Sequence, residues 1–288
     1  MNSGPATTGK GAARAASMLG DLAPRLVSGV VMIAAALGAL VAGGFVFVAF
    51  WLVAAVAVHW EWQRMTGGPH EQIRMAGGGA IIALVAGLAA LGARDAALVM
   101  LIGGALATLL LVHGPTRIWN AAGILYAGSL ILAVVVLRLS IFNGLEAILW
   151  LFAIVWGTDV MAYFGGRLIG GPKLWPRVSP SKTWAGFLTG VTSGSLLGVA
   201  VLWAVGAPLS PGPIILLGLA TGAIAQGGDL FESSLKRRYG RKDSSNLIPG
   251  HGGAMDRLDG FIAAAVFAAI LGAIRAGAVA PANGLFVW

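Results

Sequence analysis

From Leu26 through Trp60 the chain runs for 35 residues without a single Asp, Glu, Lys or Arg. A helix rises 1.5 Å per residue, and a hydrocarbon core about 30 Å thick takes roughly 20 apolar residues per crossing. The run is too long for one span and far exceeds the short apolar region of a cleavable signal. Gly43-Gly44 supplies a turn that divides it into spans at Leu26 to Ala42 and Phe45 to Trp60. The remaining chain has the same character: 58% of its residues are hydrophobic and 10% charged, against about 25% charged in a soluble domain. Zero cysteines remove thiolate nucleophiles and Cys-ligated metals from consideration.

Further apolar runs fall at Met75 to Leu91, Ala96 to Val112, Ala121 to Leu137, Leu145 to Phe164, Trp184 to Val205, Pro213 to Phe231 and Leu258 to Ala276. The expected fold is all-α, a polytopic integral membrane bundle of about nine transmembrane helices. Charge tests the count, because Lys and Arg of short loops concentrate on the cytoplasmic side. Nine spans with a cytoplasmic N-terminus put 16 of the 19 cations inside, leaving only Arg94, Arg138 and Arg275 outside. Merging the first two spans would invert everything downstream. Trp60, Trp62, Trp119, Trp175 and Trp184 fall near span ends, where indoles meet the water–lipid interface. The abundant Gly and Ala allow close helix approach and predict a compact bundle. Residues 1–25, small and polar, read as a flexible cytoplasmic arm.

The charges gather in two islands. Of 30 charged residues, 5 lie between Asp159 and Gly186 and 11 between Asp229 and Asp259. In the first island, Asp159 falls within an apolar span, where a carboxylate is costly unless paired, hydrated or metal-bound. Gly165-Gly166-Arg167, Lys173, Arg177 and Lys182 suggest a glycine-rich turn with cations able to grip phosphate; equally, four cations beside a bilayer set topology or touch anionic lipid. The order of residues does not match a P-loop.

The second island mixes six cations with five anions, whereas a plain polybasic lipid anchor would be nearly free of acids. If the eighth span continues helically, Asp229, Glu232, Ser233 and Lys236 share one face, as do Asp256 and Asp259 at the start of the ninth. Carboxylates from two adjacent helix ends can then converge on a hard cation such as Mg2+, which commonly takes one or two carboxylates plus substrate phosphates. Gly250, Gly252 and Gly253 around His251 let backbone N–H groups approach an anion, and His251 itself can donate to phosphate or move a proton.

The stretch Ser233-Ser-Leu-Lys236-Arg237 through Lys242-Asp243, Ser245, Ile248-Pro249-Gly-His251-Gly252-Gly253 and Asp256-Arg257-Leu258-Asp259 closely resembles the signature of the phosphatidate cytidylyltransferases, also called CDP-diacylglycerol synthases. Ser179-Pro-x-Lys182-Thr-Trp-x-Gly186 is similar to another loop of that family. Ala254 stands where a larger aliphatic residue is usual, and Ala185 where an acid or amide is common. The resemblance covers roughly the C-terminal half, implying a catalytic transmembrane region at 141–288, with cytoplasmic loops 165–183 and 232–257, behind a more variable bundle at 26–140.

The resemblance implies that CTP and phosphatidic acid give CDP-diacylglycerol and pyrophosphate, with Mg2+ as cofactor. By the same resemblance Asp229 and Asp256 are metal ligands, with Asp243 and Asp259 additional or supporting ones. Lys236 and His251 join the catalytic set. Ser179, Lys182, Ser233, Arg237, Lys242, Gly252, Gly253 and Arg257 are implied to contact substrate, with Asp159 in support. The implied setting is a bacterial inner membrane with the site facing the cytoplasm; the partners are CTP, phosphatidic acid and the lipid bilayer, with no nucleic acid, and a homodimer stays open. Two other readings compete. CDP-alcohol phosphotransferases also begin a motif with Asp-x-x-Asp-Gly, as at Asp256 to Gly260, but no acid follows Asp259 here. An ion-coupled transporter of an anionic substrate would use Asp159 and the charged helix ends, although no internal repeat supports it.

Overall fold

The computed structural model describes residues 26–207 and 210–288, so the expected N-terminal arm lies outside the described residues. Among the described residues, eight helices are long and apolar enough to cross a membrane: α2 (Gly44–Thr66), α3 (Glu71–Ala90), α4 (Arg94–Leu111), α5 (Arg117–Arg138), α6 (Gly144–Leu168), α7 (Trp184–Ala204), α8 (Pro211–Arg238) and α9 (Met255–Ala276). A shorter apolar helix, α1 (Leu26–Ala42), precedes them, and a single turn, α10 (Asn283–Phe286), follows. Every apolar run expected to span is helical; eight reach the length of a crossing, and the first, α1, is shorter. The main difference is α8, which runs seven residues beyond Phe231 and carries the start of the second charged island as helix.

The break between α1 and α2 is one residue long. Gly43 has φ 63°, a conformation L side chains rarely adopt. A Cβ there would also come within 2.7 Å of Arg138 Nη2, the movable tip of a long side chain, so it is the turn that requires glycine. Arg138 donates to Leu40 O, Arg94 to Ala278 O and Leu139 O, and Arg275 to Gly284 O and Val287 O. These are the three cations that stood apart in the charge count. All serve as caps for backbone carbonyls at one end of the bundle, which explains why they are tolerated there. At the opposite end, Arg241 donates to Arg64 O, Arg238 lies over Trp119, and Lys182 reaches α8.

Helix packing depends on glycine at particular places. Gly186, Gly190, Gly194 and Gly198 recur every four residues along α7 and form one stripe against α6. A Cβ at Gly186 would sit 2.7 Å from Ala162 O, at Gly190 2.6 Å from Thr158 O, and at Gly194 2.7 Å from Ile154 O. Such contact between backbones is how membrane helices associate without a hydrophobic drive. The α8–α9 crossing is similarly close, with Gly228 against Asp259 O and Gly260 against Ala225 O. That crossing brings the acidic ends of the two helices together.

Between α6 and α7 the chain forms a small antiparallel hairpin, β1 (Lys173–Trp175) and β2 (Ser179–Thr183), pairing Lys173 with Thr183 and Trp175 with Ser179. It is an addition to the expected all-helical plan. Thr183 ends β2 and caps α7, its Oγ1 accepting from Gly186 N at 3.0 Å. Trp62 departs from the expected interfacial role. It is buried, donates to Trp119 O at 2.7 Å and packs on Tyr126 and Phe231.

Candidate active site

A cavity of about 950 Å³ opens at the end of the bundle that carries the two charged islands. Part of its lining is apolar: Val31, Met32 and Ile33 of α1 line it together with an aromatic cluster in which Trp51 stacks on Phe261 at 4.9 Å and Phe152 on Trp156 at 4.6 Å. Its other part is charged, lined by Asp159, Arg167, Lys182, Asp229, Asp256, Arg257 and Asp259, with Gln226 and His251. One end therefore suits hydrocarbon and the other suits phosphates, within a single space.

Two ammonium groups organise the carboxylates. Lys182, delivered by β2, lies 2.6 Å from Asp229 Oδ2 and donates to Gln226 Oε1 at 2.8 Å. Gln226 in turn donates to Asp159 Oδ1 at 3.1 Å, which ties α6, the hairpin and α8 into one chain of contacts. Ser233 donates to Asp229 Oδ1 at 3.2 Å. Deeper in, Lys236 lies 2.6 Å from the fully buried Glu232 and 2.7 Å from Asp256 Oδ1. The expected common face of Asp229, Glu232, Ser233 and Lys236 is present, but it divides: Asp229 opens to the cavity, while Glu232 and Lys236 turn inward to Asp256.

Asp256 is the most heavily bonded acid of the site. Besides Lys236 it accepts from Gly253 N at 2.8 Å, Ser244 N at 3.0 Å and Ser244 Oγ at 3.0 Å. The glycine-rich loop thus turns an N–H group onto an anion, and that anion is the chain's own carboxylate. His251 lines the cavity and meets Ser28 of α1, with Oγ and Nδ1 2.7 Å apart. Arg257, whose Nε donates to His251 O at 3.0 Å, lines it too. Ser179, Ser233, Lys236, Arg237, Lys242, Asp243, Gly252 and Gly253 do not line this cavity; Ser181 does so in the same strand as Ser179. Arg237 bonds to Arg241 O, and Lys242 and Asp243 are exposed on the loop after α8.

One acid that the sequence reading passed over belongs to this region. Glu61 of α2 is completely buried and accepts four hydrogen bonds, from Ser244 Oγ, Ser245 Oγ, Ala254 N and Met255 N. The available signal was a lone acid between Trp60 and Trp62. The apolar run ends at Trp60, whereas α2 continues to Thr66 and holds Glu61 within the helix.

The donor set suits a hard cation. Four carboxylates and three basic side chains line the cavity, so its own cations are already matched by acids, and a bound cation would help it to accept anionic ligands. The donors are oxygens, as Mg2+ prefers. Among the described residues no three His, Asp or Glu groups form a ready-made metal cage, so substrate oxygens and water would complete a shell begun by one or two carboxylates.

Fold and site together define a polytopic membrane protein with an amphipathic, phosphate-suited cavity at one end of its helices. Residues 23–274 match the model of the Cytidylyltransferase family, and the chain belongs to that family. A phosphatidate cytidylyltransferase of Brucella abortus is 37% identical over 260 residues, covering 90% of this chain and 96% of the relative. One from Pseudomonas aeruginosa is 36% identical over 274 residues, covering 89% and 99% respectively. A phosphatidate cytidylyltransferase of Staphylococcus haemolyticus is 42% identical over 120 residues, covering 42% of this chain and 46% of the relative.

Proposed function

We propose that this chain transfers the CMP moiety of CTP to phosphatidic acid, giving CDP-diacylglycerol and pyrophosphate, a step of phospholipid biosynthesis. The observation that carries the reading is the cavity itself, which joins an aromatic, apolar interior to a charged end built by the signature residues. Acyl chains remain in the apolar part while the phosphate of the lipid meets the nucleotide at the charged end. A phosphatidate oxygen attacks the α-phosphorus of CTP; the bond from that phosphorus to the bridging oxygen of the β-phosphate breaks, and pyrophosphate leaves. No covalent enzyme intermediate is required. Lys182, Arg257 and His251 supply the polar groups facing the phosphates.

Mg2+ fits this reading as cofactor, with Asp229 and Asp256 as its carboxylates and Asp259 close by. When bound it would neutralise charge on the phosphates being exchanged. Lys182 and Lys236, each within 2.7 Å of one of those carboxylates, hold the acids in place. The membrane is the bacterial inner membrane, with the charged end facing the cytoplasm, where CTP is found; the 16 to 3 division of cations supports that orientation. A homodimer is compatible with the exposed apolar helix faces. No observation favours the transport reading.

Purified protein in mixed micelles should convert labelled CTP to a lipid-extractable cytidine product when phosphatidate and Mg2+ are both present. Product formed at the full rate without phosphatidate would overturn the substrate assignment, and full activity in excess chelator would overturn the cofactor.

A further inference from the structure

We infer that Glu61 is a positioning residue for the transfer reaction, holding the loop that fixes Asp256 although it contributes nothing to the cavity wall. The inference rests on the proposed reaction. Its four hydrogen-bond donors all lie on the loop after α8 or at the start of α9, up to 194 residues away in sequence. Oε1 accepts from Ser245 Oγ at 2.6 Å and Ala254 N at 2.9 Å; Oε2 accepts from Ser244 Oγ at 3.1 Å and Met255 N at 2.6 Å. The residue at the N-cap of α9 is Ala254, whose side chain cannot accept a hydrogen bond. Glu61 supplies the missing cap from another helix, and a carboxylate at a helix N-terminus is favourably placed with respect to the dipole.

The connection to Asp256 is short. Ser244 Oγ lies 3.1 Å from Glu61 Oε2 and 3.0 Å from Asp256 Oδ2, and Ser244 N donates to Asp256 as well. The one hydroxyl proton of Ser244 sits between the two carboxylates and serves one of them at a time, while its backbone N–H holds Asp256, so this serine links the two acids. A Cβ at Gly253 would collide with both Ser244 Oγ and Glu61 Oε1, so the glycine is what admits the carboxylate. Glu61 does not line the main cavity, which predicts an effect on turnover rather than on substrate binding. The signature loop is thus shaped from outside the C-terminal half, by α2.

Glu61→Gln is the informative variant. It keeps the shape, but its amide nitrogen must face either Ala254 N–H or Met255 N–H, neither of which can accept, whereas the serine hydroxyls can turn. Folded, monodisperse Glu61→Gln should show kcat at least tenfold lower with KM for CTP and phosphatidate within twofold of wild type. Amide exchange over 244–256 should quicken while that of α5 stays unchanged. Ser244→Ala should lower kcat in the same way, and the double variant should be no more than about twofold worse than the poorer single one. A kcat within twofold of wild type in Glu61→Gln would overturn the inference, as would losses that multiply in the double variant. If wild type itself made no product, the reaction reading would fall, and unchanged exchange over 244–256 would still remove Glu61 from its role.

Discussion

Asp256 accepts from an ammonium, two backbone N–H groups and a hydroxyl, so replacing one of its oxygens by nitrogen confronts several donors at once. Asp256→Asn should lower kcat by about 100-fold or more, the scale on which losing one pre-organised electrostatic group is felt. It should also leave the half-buried Lys236 with Glu232 as its remaining carboxylate, a loss of about 1–3 kcal/mol. Thermal unfolding in detergent and single-turnover kinetics would check both effects. Gly253→Ala should destabilise by roughly 1–3 kcal/mol, since the methyl meets Ser244 and Glu61 rather than space; an unchanged unfolding midpoint would contradict the packing described. At this scale the sequence was informative about Asp229, Asp256 and Lys182, because charges in a span or beside one stand out. It was silent on Glu61, whose partners are backbone N–H groups brought together only by the fold.

The elements carry the site through glycine. Asp159 lies on α6, Lys182 leads into α7 and Gln226 lies on α8, so the three meet only if those helices are packed at backbone distance. Gly194→Leu should therefore abolish folding or reduce activity by at least about tenfold, whereas Gly103→Leu on α4, with nothing within 4 Å, should change stability by less than about 0.5 kcal/mol. Unfolding midpoints and activity of the two variants, measured side by side, test this. Equal behaviour would mean that the stripe is incidental. The eight long helices were legible from hydropathy because a span must be long and continuous to cross lipid. The hairpin could not be read in that way: three and five residues are too few to show alternation, and Pro180 within β2 argues against a strand.

Across the whole molecule, charge separates two ends with different duties. At one, Arg94, Arg138 and Arg275 cap carbonyls and tie loops together. At the other, lysines and arginines surround the cavity. Cysteines introduced singly into this cysteine-free chain should report the difference: Leu247→Cys labelled only from the cytoplasm and Phe142→Cys only from the opposite side, both positions being exposed. Labelling from the same side would contradict the proposed nine-span topology. The central claim is that the charged end of one cavity passes the α-phosphate of CTP to a lipid phosphate. Its most direct test follows two labels in liposomes containing phosphatidate. The α-phosphate of CTP should enter the lipid fraction while the γ-phosphate leaves in an equal amount of pyrophosphate, and both should fall to background in Asp256→Asn. Label from the γ-phosphate in lipid, or undiminished α-phosphate transfer by Asp256→Asn, would contradict it.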